Sequence, residues 1–283
     1  MRRKFIICIM AVISLFVCGV VFAVPDPTHA PTEQVPLVSG SAKQDVSTDT
    51  DLTEDEAAAL KTRTIGIDPG HQGVEDTGLE YIAPNSIRTK IRMSRGTVGT
   101  KSGIAESAIN MQIAEKLRAL LEHEGVVVVM TRTSDDVNIS NYERAIMMND
   151  AQVDLWIRLH CDNAISSRTS GASMLVPSRS NNPLIYKQSL ALGKNVLNEF
   201  CLSTGAQTLS VRALMNQTGF NWSEVPVVAI EMGYLSNAQD DVNLNSDAYQ
   251  NCCASGIFNG IVSYFMEESE PDNDVVESAD IQE

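Results

Sequence analysis

Aromatic residues are scarce in this chain, at 5% of 283 positions, and bases are outnumbered, with 21 lysines and arginines against 36 aspartates and glutamates. That shortage excludes the basic stripe a nucleic-acid binder presents, so no nucleic-acid partner is expected. There are six cysteines but no C-x-x-C pair, which excludes both a thiolate zinc site and a dense disulfide framework. Cys8 and Cys18 fall in an N-terminal apolar run. Cys161, Cys201, Cys252 and Cys253 read as buried free thiols, with one disulfide as the alternative that export would allow. No internal repeat is present. Only four histidines occur, His29, His71, His123 and His160, so where they fall carries information.

The net charge of −15 belongs to the ends of the chain. Residues 24–61 hold eight acids against two lysines, and residues 267–283 hold eight acids and no base. Arg2, Arg3 and Lys4 precede an apolar run from Phe5, and Val21-Phe22-Ala23 places small residues where a leader is cut. Residues 1–23 therefore read as a signal peptide cleaved after Ala23, with an uncleaved membrane anchor as the rival, since the run is about as long as a span. Either way the rest of the chain would lie outside the cytoplasm, secreted or at the cell wall. Residues 24–61, rich in Pro, Thr, Ser, Asp and Glu, read as a disordered spacer, 62–266 as a folded domain and 267–283 as an acidic disordered tail.

Within the domain, Thr64–Gly73 (T-I-G-I-D-P-G-H-Q-G) is a short buried strand running into a tight loop. A turn-rich stretch to Gly103 follows, without clear periodicity, carrying Arg88, Lys90, Arg92, Arg95 and Lys101. Ile109, Ile113, Leu117, Leu120 and Leu121 make a helical stripe that Gly125 closes. Val126 to Thr131 reads as a strand covered on both faces. Ser140 and Glu143 form a capping box for a helix to about Asp150. Strands at 155–160, 171–176 and 227–231 and helices at 184–202 and 247–265 complete the pattern, with a short strand or loop near 207–214. Strands separated by long helices imply a single α/β domain, a mostly parallel sheet with helices on both faces.

Three strands end in a reactive side chain: His71 after Ile67, His160 after Leu159, Glu231 after Ile230. In a parallel sheet those ends share one edge, where open α/β sheets carry their chemistry. Glu106, at the start of the helix after the basic stretch, is a fourth. Two imidazoles and a carboxylate suit Zn²⁺ in a site with an open position, and a second carboxylate could move protons. Plainer readings exist for each: a loop-capping histidine, an acid favoured by a helix N-terminus, or an ion-pair partner for an arginine.

Asp68-Pro69-Gly70-His71-Gln72-Gly73 resembles the D-P-G-H-G-G opening of zinc-dependent N-acetylmuramoyl-L-alanine amidases of the third type, bacterial cell-wall hydrolases. Glu106 with Asn110 and Leu117, Thr131-Arg132-Thr133, Glu143-Arg144-Ala145 with Asn149, and Ile157 to Asn163 resemble further elements in order, as does Pro226 to Asn237. The resemblance spans about Thr64 to Phe265. It implies a six-stranded sheet, zinc bound by His71, Glu106 and His160, and Glu231 as catalytic acid/base. It also implies hydrolysis of the amide joining N-acetylmuramic acid to L-alanine of the peptidoglycan stem peptide. Gln72 and Cys161-Asp162 depart from the pattern and bear on substrate preference. The alternatives are a zinc peptidase or deacetylase acting on another amide, and a wall-binding protein without catalysis. A monomer is expected, touching a membrane only through an uncleaved N-terminal segment.

Overall fold

Eight strands and seven helices make up residues 52–269, the part of the chain that the computed structural model describes. Six strands form one sheet in the order β4 (Val127–Met130), β1 (Thr64–Pro69), β5 (Leu155–Asp162), β8 (Val227–Tyr234), β6 (Ala172–Pro177) and β7 (Thr208–Leu214). Strands β4, β1, β5 and β8 run parallel, β6 runs antiparallel to β8, and β7 is parallel to β6. This is the expected mostly parallel architecture. Its registers pair Asp68 with Arg158 and His160 with Glu231, so the three ends β1, β5 and β8 do lie side by side.

Alternation along the strands decides which face each residue serves. Ile65, Ile67, Ile157, Leu159, Val228 and Ile230 point to one face and are fully buried. There they meet α2 (Glu106–His123), α4 (Pro183–Thr204) and α7 (Asp247–Ser269). Burying each such side chain is worth about 1.5–3 kcal/mol, so this face holds most of the fold's apolar stabilisation. Gly260 lets α7 approach α4 until a Cβ would strike the backbone of Val196. The opposite face carries a smaller cluster of Trp156, Ala229 and Val227 under α3 (Asn141–Asp150) and α5 (Thr218–Asn221). It also carries Arg158, His160 and Glu231, in step with those apolar residues. The chemistry therefore sits on the thinly covered side.

The capping box of α3 forms as expected, with Glu143 N donating to Ser140 Oγ at 3.2 Å and Ser140 N to Glu143 Oε2 at 2.8 Å. Gly205, at φ 71°, ends α4 in the left-handed conformation that glycine adopts without strain. Three expectations are corrected. The run Val126 to Thr131 is not covered on both faces: β4 is an edge strand and Val127 is 58% exposed. The stretch after His71 is not simply a loop, since β2 (Asp76–Tyr81) and β3 (Thr89–Met93) pair as an antiparallel hairpin with a bulge. The spacer does not extend to residue 61, because α1 (Glu54–Leu60) is capped by Thr53 and docks its buried Leu60 beside α7. At the other end α7 continues through Ser269, past the expected boundary at 266. The expected signal segment 1–23, most of the spacer and residues 270–283 lie outside the described residues. Among the described residues no helix is long and apolar enough to cross a membrane.

Candidate metal centre

At the end of β1 the chain turns through Gly70, whose N–H donates to Leu159 O at 2.9 Å. A Cβ on Gly70 would collide with the His160 ring, so the two loops approach as closely as they do because residue 70 has no side chain. His71 follows at φ 62°, a conformation that few side-chain-bearing residues adopt. It is held there by buried arginines. Arg132 donates to Pro69 O at 2.8 Å and to Gly70 O at 3.2 Å, and Arg144 donates to Pro69 O at 3.0 Å and to His71 O at 2.9 Å. Asn110 adds a bond to Gly70 O at 3.3 Å.

Arg132 is held in turn by Asp135, and Arg144 by Asp68, which is wholly buried. Its carboxylate accepts from Arg144 Nη1 and Arg158 Nε, both at 2.7 Å, and from Thr131 Oγ1 at 2.6 Å. Burial pushes its pKa up, but the two guanidinium charges and their hydrogen bonds more than offset that and hold it well below the usual carboxylate range. Gln72, the departure noted in the sequence, is structural. It bonds Val74 O and Asn138 with its amide nitrogen, while its oxygen accepts from Ile139 N and Arg144.

On this scaffold His71, Glu106 and His160 converge. His71 Nε2 and His160 Nδ1 each lie 3.1 Å from Glu106 Oε1, and one ligand atom from each residue falls within 4.8 Å of the other two. A tetrahedral zinc ion at its usual bond lengths spaces its ligand atoms about 3.4 Å apart, so the set fits with small adjustment. The other nitrogen of His71, Nδ1, lies 2.9 Å from the carbonyl oxygen of Ser94. A carbonyl can only accept, so Nδ1 carries the proton and Nε2 turns its lone pair to the centre. Glu106 is buried at the first turn of α2, accepting from Thr97 N at 2.9 Å and Cys161 N at 3.1 Å. Burial raises its pKa, but the adjoining His160 and His71 rings bring the net value below normal. Burial holds His160 below its ordinary value, the direction that favours the neutral imidazole a ligand must be.

Glu231 stands opposite His160 on the neighbouring strand. Burial, then the nearby carboxylates of Glu106 and Asp162, push its pKa well up, with Arg212 and Arg158 pulling the other way. A divalent cation at the triad would be the largest charge nearby and would favour its ionised form. Glu231, His71 and His160 share a cavity of about 340 Å³ that runs back over Ala229 to Arg158, walled by Leu175 and Phe220 and bordered by Lys90 of the hairpin.

The structure thus brings together all four residues singled out in the sequence. It leaves His123 exposed beside Glu124, and His29 lies outside the described residues. Of the basic stretch, Lys90 and Arg95 reach the site, whereas Arg92 pairs with Asp76 and Glu143. Arg158 was missed as a site residue. It precedes His160 by two positions on a strand, and that spacing alone puts both side chains on one face.

A family model described as N-acetylmuramoyl-L-alanine amidase matches residues 65–263. "Probable cell wall amidase LytH" of Staphylococcus saprophyticus is 27% identical over 213 residues, which make up 75% of this chain and 61% of that protein. The germination-specific N-acetylmuramoyl-L-alanine amidase of Bacillus subtilis is 24% identical over 225 residues, 75% of this chain and 84% of its own. The crystal structure of the N-acetylmuramyl-L-alanine amidase Ami1 from Mycobacterium smegmatis superposes with a TM-score of 0.66 at 22% identity, covering 74% of this chain and 99% of that one. At that identity the likeness is one of fold.

Proposed function

The chain belongs to the type 3 N-acetylmuramoyl-L-alanine amidase family, and from that premise we propose that it is a zinc-dependent hydrolase of the amide between N-acetylmuramic acid and L-alanine in peptidoglycan. The observation that carries the reading is the convergence of His71 Nε2, His160 Nδ1 and Glu106 Oε1 beside a carboxylate, Glu231, that is not among the ligands. His71, Glu106 and His160 would hold the ion. Zinc in such a site supplies Lewis acidity, polarising a carbonyl and lowering the pKa of water towards about 7.

The rest falls to the chain's own residues. Glu231 accepts a proton from the attacking water as its oxygen bonds to the amide carbon. It delivers that proton to the departing nitrogen as the carbon–nitrogen bond breaks, leaving a carboxylate on the muramic acid and a free amine on alanine. Ser94 keeps His71 in the tautomer and rotation that the ligand role requires. Arg132 and Arg144 keep its backbone in place. The reaction would take place outside the cytoplasm, with residues 1–23 directing export and the chain acting as a monomer.

Digestion of purified peptidoglycan with mass spectrometry of the fragments tests the proposal. Free stem peptides with intact glycan strands, lost on chelation and restored by zinc, are the expected products. Released acetate or shortened peptides with no free L-alanine amine would point instead to a deacetylase or peptidase and overturn the assignment.

A further inference from the structure

One arginine in the cavity is only partly satisfied. Arg158 is 4% exposed, with Nε committed to Asp68 and Nη2 to Asn141 Oδ1, both at 2.7 Å. Its remaining nitrogen, Nη1, has no acceptor among the described residues and rests against Gly219, where a Cβ would come within 2.6 Å of it. The guanidinium is therefore anchored on one edge and free on another. Lys90 lines the same cavity from the hairpin, half-buried, and among the described residues its ammonium makes one hydrogen bond, a long one of 3.4 Å to Gln217. The acids near the two cations leave the space between them unfilled. Asp68 is shared with Arg144; Glu80 sits across the hairpin from Lys90, one oxygen accepting from Tyr142 N and the other buried without a hydrogen bond; Glu231 stands at the far end beside the triad. Neither Asp68 nor Glu80 lines the cavity that the two cations face.

We propose that Arg158 and Lys90 form a carboxylate-binding subsite that selects stem peptides with a free α-carboxylate on the second residue. The proposal rests on the amidase reading of the neighbouring centre and names which part of that substrate lies in the cavity. Arg158 and His160 are two residues apart on β5, on the order of 7 Å along the strand. A peptide with its alanine nitrogen at Glu231 has its next residue displaced by roughly one Cα–Cα step of about 3.8 Å plus a carboxyl group, which spans the same interval. A carboxylate offers two oxygens, one for the free edge of the Arg158 guanidinium and one for the Lys90 ammonium. Leu175, Phe220 and Ala229 give an apolar wall suited to methylenes. Burial, together with the charge of Arg158, pushes Lys90 below its usual pKa, and an anion placed between the cations would relieve that repulsion.

The test uses the full chain and two muramoyl tripeptides that differ only at the second residue, D-isoglutamate with its free α-carboxylate or D-isoglutamine with a carboxamide there. The wild-type kcat/KM should favour the free acid by on the order of tenfold, with the preference shrinking as salt rises. Lys90→Met, which breaks no buried ion pair, should bring the ratio of the two substrates close to one. Arg158→Lys, which keeps a charge but loses the fork, should lower the ratio as well. Equal rates for both substrates in the wild type, or a preference unchanged in Lys90→Met, would overturn the subsite. Calorimetry of the two free tripeptides on chelator-treated protein reads the subsite without turnover. Cleavage of neither substrate together with tighter binding of the free acid would sink the hydrolase reading and keep the subsite, whereas equal binding would sink the subsite alone.

Discussion

Replacing Asp68 by asparagine preserves the size of the side chain and removes its charge. Asp68 is wholly buried and lies 2.7 Å from both Arg144 Nη1 and Arg158 Nε. In the variant the two buried guanidinium groups keep their bonds to carbonyls, Gln72 and Asn141 but lose the buried anion that they share. Removing one partner from a buried ion pair costs about 3–5 kcal/mol. Asparagine can still accept one hydrogen bond, so about 3 kcal/mol is expected, or roughly 6–12 °C in Tm for a domain of this size. Urea unfolding followed by circular dichroism measures it. The pH dependence follows from the depressed pKa. A carboxylate with a lowered folded-state pKa stabilises fully above its unfolded value of about 3.9, and the contribution is lost as pH falls towards the folded value. The gap between wild type and Asp68→Asn should therefore be flat from about pH 5 to 8 and shrink only in stronger acid. A gap below about 1 kcal/mol at neutral pH would show that the arginines do not depend on Asp68, and the scaffold argument would fail.

Three further outcomes follow from the site. Glu231→Gln should keep the metal content of the wild type while fragment release drops by on the order of 10²–10⁴, since the proton carrier is gone and the ligands are not. Gly70→Ala should displace the His160 ring and lower zinc retention through a dialysis series; full retention would contradict the close approach. Gln72→Ala should cost about 1–3 kcal/mol in urea unfolding with the metal still bound, because the side chain ties loop to loop and touches no ligand.

Much of the centre was legible because its residues sit where periodic apolar patterns stop. Ile65 and Ile67 before Asp68-Pro69, and Val227 to Ile230 before Glu231, mark buried strands that parallel topology brings together, although β5 and β8 run on past His160 and Glu231 to Asp162 and Tyr234. Glu106 was legible as the first residue of a striped helix, though its bonds to Thr97 and Cys161 were not. What escaped depended on contacts distant in sequence. The hairpin β2–β3 has exposed Leu79 and Tyr81, a bulge and no alternating core face, so its strands carry no burial signal. Four consecutive aliphatic residues in β4 look like an interior strand, but a run of that length reports strand tendency and not how many neighbours it has. Helix α1 is short and acidic, with Leu60 its one buried residue and Ala59 packed beside it. Arg144 and Arg132 matched expected motifs, yet only the fold shows that they hold the carbonyls of residues 69–71.

The central claim is that His71, Glu106 and His160 together hold one divalent ion. Elemental analysis of the purified protein and of Glu106→Ala tests it most directly. The wild type should carry about one zinc per chain and the variant, folded by circular dichroism, close to none, since three protein ligands are the usual minimum for such a site. A full complement of zinc in the folded Glu106→Ala protein, or a wild type that takes up none when zinc is supplied, would contradict it.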